Sequence, residues 1–90
     1  LSWFWSMKMI NILYFASFRD MLGKADEQLK VEATTVSDLI DELSQRGENW
    51  AQALRDNKNL QIAVNHDVAQ RDTAIKAGDE VAFFPPVTGG

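Results

Sequence analysis

Thr35-Val36-Ser37-Asp38-Leu39-Ile40-Asp41-Glu42-Leu43-Ser44-Gln45-Arg46-Gly47 sets apolar side chains at 36, 39, 40 and 43, the i, i+3, i+4, i+7 rhythm of a helix with one buried face. Thr35 followed three residues later by Asp38 has the spacing of a capping box, and Gly47 is the expected stop. Asp38, Asp41, Glu42, Gln45 and Arg46 fall on the opposite, wet face. Working outward, the stretches on either side read as strands joined by short helical turns. Upstream, Lys8 to Phe15 is rich in β-branched and aromatic residues, with apolar groups in both parities, as a central strand requires. Gln28 to Ala33 alternates Leu29, Val31 and Ala33 against polar residues, a strand with one wet face. Between them, Arg19 to Leu22 can form a short helical turn that Gly23 ends.

Downstream, Asn49 to Leu54 offers a second short helix with Trp50 and Leu54 on one side, and a polar loop from Asp56 to Asn59 follows. Leu60 to Val64 is again strand-like, and Asn65, His66 and Asp67 supply hairpin-turn chemistry before Val68. Gly78 suits a turn with positive φ, Glu80 to Phe84 forms the last strand, and Pro85-Pro86 ends it because neither has an N–H for a ladder. Two strands, a crossing helix and return strands predict an α+β fold, a mixed sheet with one main helix packed across it. Residues 8–15 and 80–84 are expected to lie side by side, central and parallel. The expected core is Leu13, Phe15, Leu29, Val31, Leu39, Ile40, Leu43, Val64, Val81 and Phe83, which sends Phe84 out of the opposite face.

Ninety residues with nine Lys and Arg against thirteen Asp and Glu, one His and no Cys make one small domain of formal charge −4. Disulfides, cysteine-ligated zinc and thiol chemistry are excluded. The acidic balance argues against a nucleic-acid partner, which needs a basic stripe. No apolar run is long enough to span a bilayer. Residues 1–6, with Trp3, Phe4 and Trp5, lack a basic start and a cleavage site, and read as an addition ahead of a natural start at Met7 or Met9. Residues 7–90 are then the single domain.

No phosphate-binding glycine loop and no metal set is present. His66 reads as a turn residue, and Asp26-Glu27, Asp41-Glu42 and Asp79-Glu80 as solvated surface without catalysis. What remains is Phe-Phe-Pro-Pro-Val-Thr-Gly-Gly at 83–90. Six extended residues span roughly 20 Å, enough to carry the terminal carboxylate into another protein's pocket. Two final glycines fit a narrow channel and leave the terminal carbonyl open to attack. A free carboxylate is a poor electrophile, so Gly90 needs activation, most simply as an anhydride with AMP, and a partner must supply the nucleotide site. With no cysteine, any sulfur must sit on that carbonyl as a thiocarboxylate.

Gly78-Asp79-Glu80-Val81-Ala82-Phe83-Phe84-Pro85-Pro86-Val87-Thr88-Gly89-Gly90, with YFASFRDMLG at 14–23 and LQIAVN at 60–65, resembles the small-subunit family of molybdopterin synthases. The double glycine alone is shared with ubiquitin and the thiamine sulfur carrier; the Phe-Phe-Pro-Pro-Val run is more specific. The resemblance implies a β-grasp (ubiquitin-like) fold with a flexible Gly-Gly tail at 85–90, and a cytoplasmic sulfur carrier that binds no cofactor itself. It implies that an adenylyltransferase activates Gly90 with ATP, that a sulfur donor enzyme makes the thiocarboxylate, and that the large synthase subunit receives the tail in a heterotetramer of two small and two large chains. There sulfur passes to cyclic pyranopterin monophosphate to form the dithiolene of molybdopterin. Thr88 and Gly89 would thread the channel, with Phe84, Pro85, Pro86 and Val87 at its mouth. A ubiquitin-like modifier joined to lysines, a carrier for another pathway such as thiamine, and a non-covalent interaction module are the alternatives.

Overall fold

The computed structural model describes residues 7–86. In chain order the elements are β1 (Lys8–Tyr14), α1 (Ser17–Leu22), β2 (Asp26–Val31), α2 (Val36–Ser44), α3 (Glu48–Trp50), which continues into a π-helical turn (Ala51–Arg55), then β3 (Gln61–Val64), β4 (Asp67–Ala69) and β5 (Glu80–Phe84). The five strands form one sheet in the order β2-β1-β5-β3-β4. β1 and β5 are parallel neighbours, as expected, and every other pairing is antiparallel. A parallel pair cannot be closed by a tight turn, and here the whole middle of the chain, α2 included, makes the crossover.

Helix α2 starts where Thr35 Oγ1 accepts the Asp38 N–H at 3.2 Å. The reciprocal bond shifts by one residue: Asp38 takes the N–H and hydroxyl of Thr34 at 3.2 and 3.0 Å, because the shorter Asp side chain does not reach the cap residue's own N–H. The helix stops at Ser44, ahead of Gly47, as the Gln45 and Arg46 N–H groups close tight turns on Glu42 and Leu43. Val36, Leu39, Ile40 and Leu43 are fully buried against the sheet, as their spacing predicts.

The core differs from the sequence reading in one parity. Ile10, Ile12 and Tyr14 are buried on β1, whereas Leu13 and Phe15, expected inside, lie half-buried on the face away from α2. Register decides this. Ile12 pairs with Val81 and Tyr14 with Phe83, so these two parities share a face, and Val81 and Phe83 are fully buried as predicted. Tyr14 can occupy a core position because its hydroxyl escapes to the sheet margin, donating to Glu27 at 2.6 Å. Leu29 and Val64 pack at the core's edge, half-buried.

Glu27, read as solvated surface, is instead structural. Glu27 accepts Tyr14 and both arms of the Arg46 guanidinium, at 2.7 and 2.9 Å, while Arg46 also lies 4.6 Å over the Trp50 ring. This cluster ties β1, β2, α2 and α3 together. Burial works against a charged Glu27, but the bonds from Arg46 and Tyr14 outweigh it and hold the carboxyl below its usual range.

Candidate functional site

β5 is placed by main-chain bonds at its head and by the β3–β4 hairpin beside it. The Asn11 N–H donates to Asp79 O at 3.0 Å, and the Gly78 N–H to Met9 O at 2.8 Å. Gly78 has the positive φ expected of it, 87°. Asn65 (φ 52°) and His66 (φ 74°) form the two-residue loop with both central residues at positive φ that a right-twisted hairpin favours. The Asn65 amide then reaches across: Nδ2 donates to Asp79 Oδ1 at 3.0 Å and Oδ1 accepts the Glu80 N–H at 3.0 Å. Asp79 is buried, and its other oxygen accepts the Lys76 N–H at 2.8 Å. Burial raises the cost of its charge, yet the bonds from Asn65 and Lys76 prevail and keep its carboxyl below the ordinary value.

The strands so fixed carry an apolar row over the face that no helix covers. Cross-strand partners share a face, so Leu13, Ala82, Ala63 and Val68 align across β1, β5, β3 and β4. Val68 at the outer edge is 86% exposed and extends the apolar row to the rim of the sheet. Phe15 and Phe84 flank the row, their rings parallel within 6° and 4.8 Å apart. Between them and the hairpin lies a groove of about 190 Å³ lined by Leu13, Phe15, Ala63, Ala82 and Phe84, with His66 and Glu80 closing its polar end. His66 Nε2 stands 3.4 Å from Glu80 Oε2. His66 is thus the turn residue expected, and in addition a rim group of this groove.

Phe84 projects from the face opposite Val81 and Phe83, as alternation requires, and it is half-buried by Phe15 rather than by the core. Pro85 is half-buried and Pro86 exposed, so the chain leaves the sheet beside the groove. Val87, Thr88, Gly89 and Gly90 lie outside the described residues. The reading from sequence missed Leu13, Phe15 and Val68 as surface groups. The sequence holds no signal for this parity, because both faces of β1 are apolar and only the pairing of Ile12 with Val81 and Tyr14 with Phe83 sets it.

A turn beneath Phe15 adds a strained residue. Ala16 has φ 55° and ψ −131°, a region that favours glycine, and the Phe18 N–H closes the turn on Phe15 O at 3.2 Å. Together with the Phe15 N–H bond to Phe83 O at 3.1 Å, this turn fixes Phe15 against β5. Among the described residues no cluster of three His, Asp or Glu side chains could hold a metal ion. No described helix is long and apolar enough to cross a membrane.

Residues 12–90 match the ThiS family. The molybdopterin synthase sulfur carrier subunit of Haemophilus influenzae is 43% identical over 82 residues, covering 91% of this chain and all of that protein. Among solved structures, SAMP1 of Haloferax volcanii superposes with a TM-score of 0.75 at 27% identity, over 91% of this chain and 99% of that one. A chain of the complex of subunits 1 and 2 of the molybdopterin-converting factor of Helicobacter pylori gives a TM-score of 0.61 at 25% identity, over 91% and 99% of the two chains.

Proposed function

We propose a sulfur-carrying role for this chain, which belongs to the ThiS family: it is the small subunit of a molybdopterin synthase, and its reactive group is the C-terminal carbonyl of Gly90. The observation that carries the reading is the bare apolar face around the Phe15–Phe84 stack, set beside the point where the chain departs through Pro85 and Pro86. A face of this kind suits a folded protein partner. The likeness to carrier subunits that are matched over their whole length supports the partner's identity as the large synthase subunit.

In this reading a partner adenylyltransferase joins the Gly90 carboxylate to the AMP of ATP, with pyrophosphate leaving. A sulfur donor enzyme supplies the nucleophile that displaces AMP, leaving a thiocarboxylate. The apolar face then docks on the large subunit, with Phe84, Pro85, Pro86 and Val87 at the mouth of its channel and Thr88 and Gly89 threaded within. Sulfur passes to cyclic pyranopterin monophosphate, water supplies the oxygen that replaces it, and Gly90 returns as a carboxylate, ready for another round in the cytoplasm. The whole assembly holds two small and two large subunits. Positions 89 and 90 need to be glycine for this task, because a side chain there would obstruct a channel that admits a backbone closely.

The test is a chain extended by one residue beyond Gly90. It should fold and bind the large subunit but fail to accept AMP or sulfur, and cofactor synthesis should stop. Synthesis that continues with the extension intact would contradict the proposal. A second reading, a ubiquitin-like modifier, draws on the likeness to SAMP1. It would show as ladders of lysine conjugates with the activating enzyme, where the carrier gives one discrete product.

A further inference from the structure

On the far side of the β4 edge lies a second groove, of about 370 Å³, that extends the docking face. Its floor is apolar, Leu60, Ile62 and Ala69, and its rim carries Lys58, Gln70 and Arg71. Arg71 is pinned there: Nη2 donates to Leu54 O at 3.0 Å and Asn57 O at 2.7 Å, and Nη1 to Arg55 O at 3.4 Å. Carbonyl oxygens hold the guanidinium without neutralising it. Among the described residues neither Arg71 nor Lys58 has a carboxylate within ion-pair distance, although Asp72 stands on the same rim.

Area decides how this groove relates to the docking face. A stable subunit interface takes about 800 Å² from each partner, some 20 residues a side. The open face offers a short row in which two of the four members, Ala63 and Ala82, are alanines, with two stacked rings beside it. Toward β2 the same face turns polar, since Asp26, Gln28 and Lys30 pair with Leu13, Asn11 and Met9. Toward β4 it stays apolar and ends on the exposed Val68, with no strand beyond. The next residue, Ala69, is already in the floor of the groove. The two surfaces are therefore continuous around a bare sheet edge. They also share the tail-exit end, because Gln61 pairs with Phe84 and Leu60 directly precedes it.

Resting on the function proposed above, we infer that the large synthase subunit wraps the β4 edge and lays an extended segment in this groove, apolar side chains on Leu60 and Ile62 and a carboxylate toward Lys58 and Arg71. The stable subunit complex, and not the transient encounter with the activating enzyme, needs this added area. Lys58 and Gln70 are both exposed, so their replacement leaves the core untouched.

The experiment titrates wild type, Lys58→Glu and Gln70→Trp with the large subunit at low and moderate salt, and in parallel follows adenylation and thiocarboxylate formation. Lys58→Glu reverses the rim charge and Gln70→Trp fills the groove. Each should weaken large-subunit binding by about tenfold or more. Lys58→Glu should also flatten the salt dependence, and both variants should be loaded at the wild-type rate. Wild-type affinity in both variants would overturn the inference alone, as would a loss confined to the activating enzyme. A wild-type chain that does not bind the large subunit would overturn the proposed function and this inference with it.

Discussion

The rings of Phe15 and Phe84 lie parallel at 4.8 Å on the helix-free side of the sheet, joining the end of β1 to the end of β5 where the tail departs. Neither ring is part of the core, so removing one should spare the fold and harm recognition. Phe84→Ala is expected to weaken large-subunit binding by about 30-fold or more, the scale of an aromatic hot spot, while thermal unfolding shifts little. Isothermal titration and a melting curve on one preparation check both halves. Phe15→Ala should behave alike, and an unchanged affinity in both variants would remove this face from the docking surface.

Ala16 supports that stack at the expense of stability. Its φ of 55° with ψ −131° is a conformation in which a Cβ is strained by about 1–3 kcal/mol. Glycine relieves the strain but adds about 0.4–1 kcal/mol of unfolded-state freedom. Ala16→Gly should therefore raise stability by about 1 kcal/mol, read from urea unfolding, with α1 and the Phe15 position retained. A destabilised variant would show that the turn is not strained.

Glu27 makes stability depend on pH in a defined direction. Burial opposes its charge, and the Arg46 and Tyr14 bonds more than offset this, so the folded carboxyl titrates below the unfolded one. The stabilisation is complete above the unfolded value of about 4.3 and drains away as pH falls through the lower folded value. Glu27→Gln should lose about 1–3 kcal/mol at neutral pH, because Tyr14 and Arg46 lose a charged acceptor. Its stability should then fall less steeply than that of wild type as pH drops below the unfolded carboxylate value of about 4.3. Asp79, also held below its usual range, keeps some acid sensitivity in the variant. Melting curves taken as pH falls check the slope.

The sequence announces those parts of this protein in which local pattern and global packing agree. The α2 stripe, the Thr35 cap, Gly23 and Gly78 at positive φ and the Asn65-His66 turn follow from residue type and spacing, and the parallel β1–β5 pair agrees with the order of elements. Parity in β1 does not follow, because both faces of Lys8–Tyr14 are apolar and only the Ile12–Val81 register decides between them. Glu27 and Asp79 look like surface acids because their partners, Arg46 and Asn65, are 19 and 14 residues away. The candidate site divides in the same way. Phe84 and the prolines are legible from one segment, whereas Leu13, Phe15 and Val68 join them only through cross-strand pairing.

The central claim is that a backbone end, and no side chain, carries the reacting atom. Intact mass spectrometry tests it most directly: incubate the chain with its adenylyltransferase, ATP and a sulfide source, then fragment the product. The account predicts a single gain of about 16 Da, one oxygen exchanged for sulfur, confined to Gly90. An unchanged mass with an active enzyme, or a gain located on any other residue, would contradict it.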